Sequence, residues 1–196
     1  MPETVTRVDR KPVFAVALSA GGARGLAHIG VLKVLEQNGI TPDFIVGTSV
    51  GALLGAAFAA GVTVRQIEDV ARSMRWRDLG SFSFSFTGVS TTDRMEKLLV
   101  RLMPTRTFEG LKIPLLVCAT DIVTGERVIF RQGDLFTAIR ASCALPGIYS
   151  PVQVGARLCA DGGMVAYLPT REAREAGGDV VLASDVRSET AMPHPP

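Results

Sequence analysis

Uninterrupted apolar runs alternate along this chain with stretches whose apolar residues recur every third or fourth position. Val13 to Leu18 is a run of six apolar residues after Lys11-Pro12 and predicts a buried strand. Ser19 to Gly25 follows as a small-residue loop with three glycines. Leu26, Ile29, Leu32 and Leu35 then fall at helical spacing, predicting a helix over 26–37 that Asn38-Gly39 ends. Phe44 to Val46 predicts a second strand, broken by Gly47-Thr48-Ser49, and Val50 to Ala60 a buried helix stopped by Gly61. Thr63 can cap a further helix, Val64 to Met74. Downstream the pattern predicts a helix from Thr92 or Asp93 to Leu102 and strands at Ile113–Ala119 and Arg127–Phe130. It continues with a helix from Asp134 through Ala141 and a hairpin of Val152–Val154 with Arg157–Ala160. A helix from Pro169 to Ala176 and a last strand, Val180–Ala183, complete it. Apolar strands separated by helices predict an α/β fold whose mainly parallel sheet is covered on both faces.

One segment has two readings. Phe44 to Val64 holds 21 residues without a charge, long enough to cross a bilayer, and Gly47, Gly51 and Gly55 repeat at the spacing of a membrane-helix contact face. The β-favouring start and the Gly-Thr-Ser break favour a strand, a turn and a buried helix instead.

The 196 residues fit one domain, and 47% hydrophobic with 20% charged residues excludes disorder for the bulk of the chain. A net charge of +2 with no basic stripe gives no sign of nucleic acid as a partner. Cys118, Cys143 and Cys159 lack paired spacing, which favours a reducing compartment over a disulfide framework. Met1 to Pro12 lacks the features of a secretory signal, so a cytoplasmic location is expected. Neither the cysteines nor His28 and His194 have metal-ligand spacing, and no metal or cofactor is expected. The scarcity of histidine also limits where a serine nucleophile could find an imidazole base.

Gly47-Thr48-Ser49-Val50-Gly51 reads as G-x-S-x-G between a strand and a helix. A sharp turn there lifts the serine hydroxyl out of the sheet, and glycines on either side remove side chains that would collide. A tight turn that lets the helix pack close to the sheet needs the same glycines. Ser19-Ala20-Gly21-Gly22-Ala23-Arg24-Gly25 ends the first strand on the same sheet edge. It is not G-x-G-x-x-G, and no acidic residue ends the second strand, so a dinucleotide site is disfavoured. Successive small residues expose backbone N–H groups suited to an oxyanion. Arg24 could hold an anionic group or fasten the loop to a carboxylate. His28 sits one turn into a helix, as packed histidines do, and His194 lies in a Pro-rich terminus that cannot hold a base in place. Asp121, Asp161 and Asp185, which follow predicted strands, are the carboxylate alternatives.

These motifs together resemble the patatin-like phospholipases, in particular their bacterial members. The similarity runs from Val13 to Asp185. It is carried by the glycine loop with Leu26-Ala27-His28-Ile29-Gly30, the Ser49 turn, the stretch Ala141 to Pro151, and Asp161-Gly162-Gly163. It implies a three-layer α/β/α fold and a Ser–Asp dyad, with Ser49 as nucleophile and Asp161 as base. It further implies an oxyanion hole from the N–H groups of Gly21, Gly22 and Ala23. The implied activity is hydrolysis of carboxylic esters of phospholipids or related acyl lipids through an acyl-serine intermediate. An acyltransferase of related architecture and a degenerate lipid-binding domain are the alternatives.

Ala20 stands where the family loop usually has glycine, and alanine there is costly if its φ is positive. Ala166-Tyr167 stands where relatives often carry asparagines, which bears on how the Asp161 loop is held. Phe82, Phe84 and Phe86 with Trp76 suit either an acyl groove or an edge strand. Arg72, Arg75 and Arg77 suit either a lipid surface or ordinary solvation. The expected organisation is an extension over 1–12, the domain over 13–186 and a frayed tail over 187–196. Family members usually continue with further helices, so the apolar surface these would cover is expected to meet a membrane, a second copy or another partner.

Overall fold

In β-strands, side chains alternate between the two faces of the sheet, so each strand of this chain feeds two separate cores. The computed structural model describes residues 10–73 and 91–187. Its strands are β1 (Phe14–Leu18), β2 (Phe44–Thr48), β3 (Leu115–Asp121), β4 (Arg127–Phe130), β5 (Val152–Val154), β6 (Arg157–Asp161) and β7 (Val180–Ser184). The helices are α1 (His28–Gln37), α2 (Val50–Ala59), α3 (Val64–Ser73), α4 (Thr91–Leu102), α5 (Leu135–Ser142) and α6 (Thr170–Glu175).

The seven strands form one sheet in the order β5-β6-β3-β2-β1-β7, with β4 also on β3. β7, β1, β2 and β3 pair in parallel, and β5 runs in their sense because it is antiparallel to β6, which is antiparallel to β3. Only β4 and β6 oppose the rest. Val16, Leu18, Ile45 and Val117 face the helices α1 to α5 in the main core. Ala15, Ala17, Val46 and Cys118 face the other way, where Ala173 of α6 packs against them. Ala15 and Ala17 of β1 leave room on that second face for α6. The result is the expected three-layer α/β/α arrangement.

Two helix starts follow the capping chemistry. The Thr63 hydroxyl accepts the Gln66 N–H at 3.3 Å while the Gln66 side chain accepts the Thr63 N–H at 3.0 Å, a capping box for α3. The Asp134 carboxylate accepts the Thr137 N–H at 2.6 Å and starts α5.

Several boundaries differ from the sequence reading. β2 runs two residues past Val46, because Leu18 of β1 and Val117 and Cys118 of β3 supply ladder partners for Gly47 and Thr48. α1 starts at His28, since Gly22–Ala27 winds as a 3-10 helix before it. β3 starts after Pro114 and runs on to Asp121, which pairs with Cys159. Pro169 is the N-cap of α6 and not its first helical residue. The uncharged segment 44–64 is β2, a turn and α2, and no helix among the described residues is long and apolar enough to cross a membrane. Arg75, Trp76, Arg77, Phe82, Phe84 and Phe86 lie outside the described residues, as do residues 1–9, 188–196 and with them His194.

Candidate active site

The backbone at the junction of β2 and α2 is tightly constrained. Ser49, between them, has φ 55° and ψ −124° and is the only non-glycine residue with positive φ among those described. The two flanking glycines are forced. A Cβ on Gly47 would lie 2.6 Å from the backbone of Ala52, and one on Gly51 would lie 2.5 Å from the Leu18 carbonyl. The turn is held from behind by Ser142 at the end of α5. Its hydroxyl accepts the Ser49 N–H at 2.7 Å and donates to the Cys118 carbonyl at 2.6 Å, fully buried.

Asp161 arrives at Ser49 through the sheet. Ala119 and Thr120 of β3 pair with both β4 and β6, so these two strands lie on opposite edges of β3. Val117 and Cys118 likewise pair with both β4 and β2, which places β2 and β6 on one edge. They run toward each other and their C-terminal ends meet: Thr48 pairs with Cys118, Asp161 with Ala119. The Ser49 hydroxyl donates to Asp161 Oδ2 at 2.7 Å, and Asp161 Oδ1 accepts the Gly163 N–H at 2.7 Å. The Asp161 backbone is fixed as well, its carbonyl by the Thr120 hydroxyl at 2.8 Å and its N–H on the Ala144 carbonyl at 3.0 Å. Both side chains are buried, with Ser49 9% and Asp161 5% exposed. Burial pushes the Asp161 carboxyl above its ordinary range, and the bonds from Ser49 and Gly163 pull it partly back. A carboxylate made more basic, aimed at a serine hydroxyl, can take up that proton.

The glycine loop lies alongside. Gly25 has no Cβ because Val50 of α2 fills that space, and a Cβ on Gly163 would stand 3.2 Å from Ala20. Gly22 takes φ 54° and opens the 3-10 helix, whose first-turn N–H groups have no partner within the helix. Ala20 does not carry positive φ, and its N–H is committed to the Tyr167 carbonyl at 2.8 Å. Alanine is therefore unstrained there. Ala166 and Tyr167 hold the Asp161 loop through their backbones, the Ala166 carbonyl accepting from the Thr48 hydroxyl at 2.7 Å. That anchoring needs no asparagine side chain. The Arg24 side chain is exposed, with no carboxylate partner among the described residues.

His28 is buried and turned away from Ser49. One ring nitrogen, Nε2, donates to the Ser19 carbonyl at 2.9 Å, which leaves Nδ1 to accept from the Ser184 hydroxyl at 2.8 Å. Burial lowers its pKa, against the raising effects of the Ser19 bond and the Asp185 charge. Asp121 ends β3 and accepts the Val123 N–H at 3.0 Å, and Asp185 pairs with Arg187 at 2.6 Å. Neither reaches Ser49.

The sequence matches the family model for patatin-like phospholipases over residues 16–174. The chain belongs to the patatin-like phospholipase family. An uncharacterized NTE family protein of Mycobacterium tuberculosis is 35% identical to this patatin-like chain over 190 residues, 95% of this chain and 52% of that protein. Patatin-like phospholipase domain-containing protein 6 of Homo sapiens is 32% identical over 193 residues, 94% of this chain and 14% of that protein. The chain thus spans about half the length of the mycobacterial relative and much less of the human one. Among solved structures, VipD from Legionella pneumophila shares the fold with a TM-score of 0.61 at 15% identity, over 82% of this chain and 47% of that one.

Sequence reasoning missed Ser142, Thr120 and Thr48 as the residues that hold this patatin-like site in place. Ser142 lies within the family stretch Ala141 to Pro151, but which of its hydroxyls and thiols face Ser49 depends on the angle at which α5 crosses β3. Cys143 was missed for the same reason. Its thiol is raised by burial and by the nearby Asp161 charge, while the Ser49 side chain acts the other way.

Proposed function

We propose that the chain hydrolyses carboxylic esters of acyl lipids through Ser49 and Asp161. The observation that carries this reading is the 2.7 Å bond from a serine hydroxyl, on a strained strand-to-helix turn, to a buried carboxylate of raised basicity. In the reaction the Ser49 oxygen attacks the ester carbonyl and its proton passes to Asp161 Oδ2. The oxyanion is met by the N–H groups of Gly21, Gly22 and Ala23 and by the positive end of α2. The alcohol leaves with the proton from Asp161. A water then attacks the acyl-serine, giving its proton to Asp161, and the carboxylic acid departs as Ser49 recovers its hydrogen.

Two further observations favour hydrolysis over the alternatives. His28 is committed to Ser19 and Ser184, so no imidazole is offered to the site by the described residues, as a histidine-dependent transferase would need. The strained turn at Ser49 and its bond to Asp161 also support hydrolysis over a degenerate site. Peripheral contact with a lipid surface is part of the proposal. Leu145 and Ile148 after α5 and Met164 and Val165 after Asp161 are exposed apolar residues on the two segments that frame the pair.

A fluorophosphonate probe and a p-nitrophenyl acyl ester test this reading. Covalent labelling at Ser49 and ester hydrolysis, both lost in Ser49→Ala and Asp161→Asn with the circular dichroism spectrum kept, are expected. Full hydrolysis in either variant would sink the dyad, and an acyl-alcohol product in excess of free fatty acid would favour the transferase.

A further inference from the structure

Ser19 follows β1 and is fully buried, and each of its polar groups is engaged. Its N–H donates to the Ser184 carbonyl at 3.1 Å, and its carbonyl accepts from His28 Nε2 at 2.9 Å. Its hydroxyl accepts the Val186 N–H at 3.1 Å and donates to the Ala20 carbonyl at 2.8 Å. The first three bonds fasten the end of β1 to α1, to the end of β7 and to the residues after it. The fourth reaches one residue forward, into the glycine loop.

A trans peptide points its C=O and its N–H in opposite directions, and the Ala20–Gly21 peptide is trans. With the Ala20 carbonyl held on the Ser19 hydroxyl, the Gly21 N–H is directed away from that buried side chain. It has no acceptor among the described residues. This peptide lies close to both members of the Ser49–Asp161 pair. A Cβ on Gly51, in the Ser49 turn, would stand 2.6 Å from the Ser19 carbonyl, and one on Gly163, beside Asp161, would stand 3.2 Å from Ala20.

The peptides on either side are fixed by backbone bonds: the Ala20 N–H to the Tyr167 carbonyl at 2.8 Å, and the Gly21 carbonyl to the Arg24 N–H at 3.2 Å. Among the described residues, the peptide between them has only the Ser19 hydroxyl. Such a plane turns over by opposed changes in the ψ before it and the φ after it, and a glycine after it offers no Cβ to resist. Residue 21 has to be glycine, because a Cβ there would collide with the Val186 side chain. Packing therefore demands the one residue that leaves the plane free to turn, and the Ser19 hydroxyl supplies the restraint. We propose that Ser19 is a positioning residue for ester hydrolysis, its hydroxyl aiming the Gly21 N–H at the oxyanion through the Ala20 carbonyl. This rests on the acyl-hydrolase reading above and adds the group that preorganises its oxyanion hole.

Ser19→Ala and Ser184→Ala, each in the whole chain, separate aiming from anchoring. Ser184→Ala removes a hydroxyl from the same junction, the donor to His28 Nδ1, and leaves the Ala20–Gly21 peptide alone. Both variants are expected to lower Tm. Ser19→Ala is expected to lower kcat for p-nitrophenyl butyrate at least tenfold with KM little changed, where deleting an oxyanion donor outright costs roughly 10²–10³-fold. Ser184→Ala should keep its kcat. Crystal structures of the two variants read the plane without turnover: the Ala20 carbonyl should turn, or split between two orientations, in Ser19→Ala alone. A measurement on the unaltered chain runs beside these. Butylboronic acid forms a tetrahedral adduct with a serine that mimics the oxyanion, and adding it should move the Gly21 amide proton downfield in the ¹⁵N-labelled protein. Wild-type kcat in Ser19→Ala, an unmoved plane, an equal loss of kcat in Ser184→Ala or an unshifted Gly21 amide would overturn the assignment. Fluorophosphonate labelling separates the two readings. Labelling at Ser49 with any of those results overturns the role of Ser19 alone, whereas a wild-type chain that neither labels nor hydrolyses overturns the hydrolase reading and this role with it.

Discussion

Ser49 and Asp161, 112 residues apart in the chain, share a 2.7 Å hydrogen bond because β2 and β6 end head to head against neighbouring residues of β3. Ser49 is the first residue beyond the Thr48–Cys118 ladder pair and Asp161 is itself paired with Ala119, so their separation is set by the sheet and not by a loop. A site built on strands keeps its geometry at little entropic cost.

The Asp161 carboxyl is raised above its ordinary 3.8, first by burial. A reaction that needs the carboxylate falls away as pH drops through that raised value, so the acid limb of kcat/KM for a p-nitrophenyl ester should lie above 3.8. In the same window the folded protein holds more protons than the unfolded chain, and this group makes stability fall as pH rises. Asp161→Asn is therefore expected to lower kcat/KM by roughly 10²–10⁴-fold with an unchanged or higher Tm at pH 7. An acid limb at or below 3.8 would contradict this.

His28 has the opposite sign. Its pKa is lowered from 6.5, chiefly by burial, so below 6.5 the unfolded chain takes up a proton that the folded one refuses. This histidine contributes stability above 6.5 that is lost as pH falls through its folded value. The slope of Tm against pH just below 6.5 should flatten in His28→Gln; an unchanged slope would show that other groups govern it.

Ser142→Ala leaves the Ser49 N–H and the Cys118 carbonyl without partners in a dry interior. A cost of about 1–3 kcal/mol for each orphaned group is the expected scale. The strained turn loses its tie at the same time, so the rate of fluorophosphonate labelling at Ser49 should drop at least tenfold in protein that still folds. Wild-type labelling in this variant would show that the tie is dispensable.

Two glycine substitutions should part in opposite directions. In Gly51→Ala the new Cβ meets the Leu18 carbonyl at 2.5 Å, and backbone cannot move aside as a side chain could. Strong destabilisation, read as a large fall in Tm or loss of folded protein, is expected. Gly30→Ala, on the exposed side of α1 with open space around its Cβ, should stabilise by about 1 kcal/mol. Equal effects would refute the steric account.

Arg127 of β4 holds Glu172 of α6 at 2.5 Å and Glu175 at 2.6 Å, and Glu172 is only 6% exposed. Arg127→Met strands the buried Glu172 carboxylate at a cost of about 3 kcal/mol, less whatever solvent reaches the pair. For a chain of this size that lowers Tm by roughly 6–12 °C. The double variant Arg127→Met with Glu172→Gln should recover much of the loss.

The strands, the helices that cover them and the turn around Ser49 were legible in the sequence because each depends on short-range physics. Apolar runs and helical spacing set which segments bury which face, and Gly47 and Gly51 announce a backbone that side chains would block. Length along the chain was less legible. Gly47 has weak strand character, and β2 runs through it to Thr48 because β1 and β3 supply ladder partners. Asp161 was one of three aspartates after strands, and its local Asp-Gly-Gly pattern marks a turn as readily as a base. What singles it out is that β6 lies antiparallel on the β2 edge of β3, a pairing between distant segments that no local pattern records. Ser142 and Cys143 depend on the same kind of decision, since they meet the site only through the way α5 packs on β3 and β6. The sequence by itself determined the elements and the strained turn, because backbone sterics and hydrophobic period act over a few residues. The tertiary structure alone decided which carboxylate meets the serine and which hydroxyl holds the turn from behind, because hydrogen-bond ladders and helix packing join residues that the chain keeps far apart.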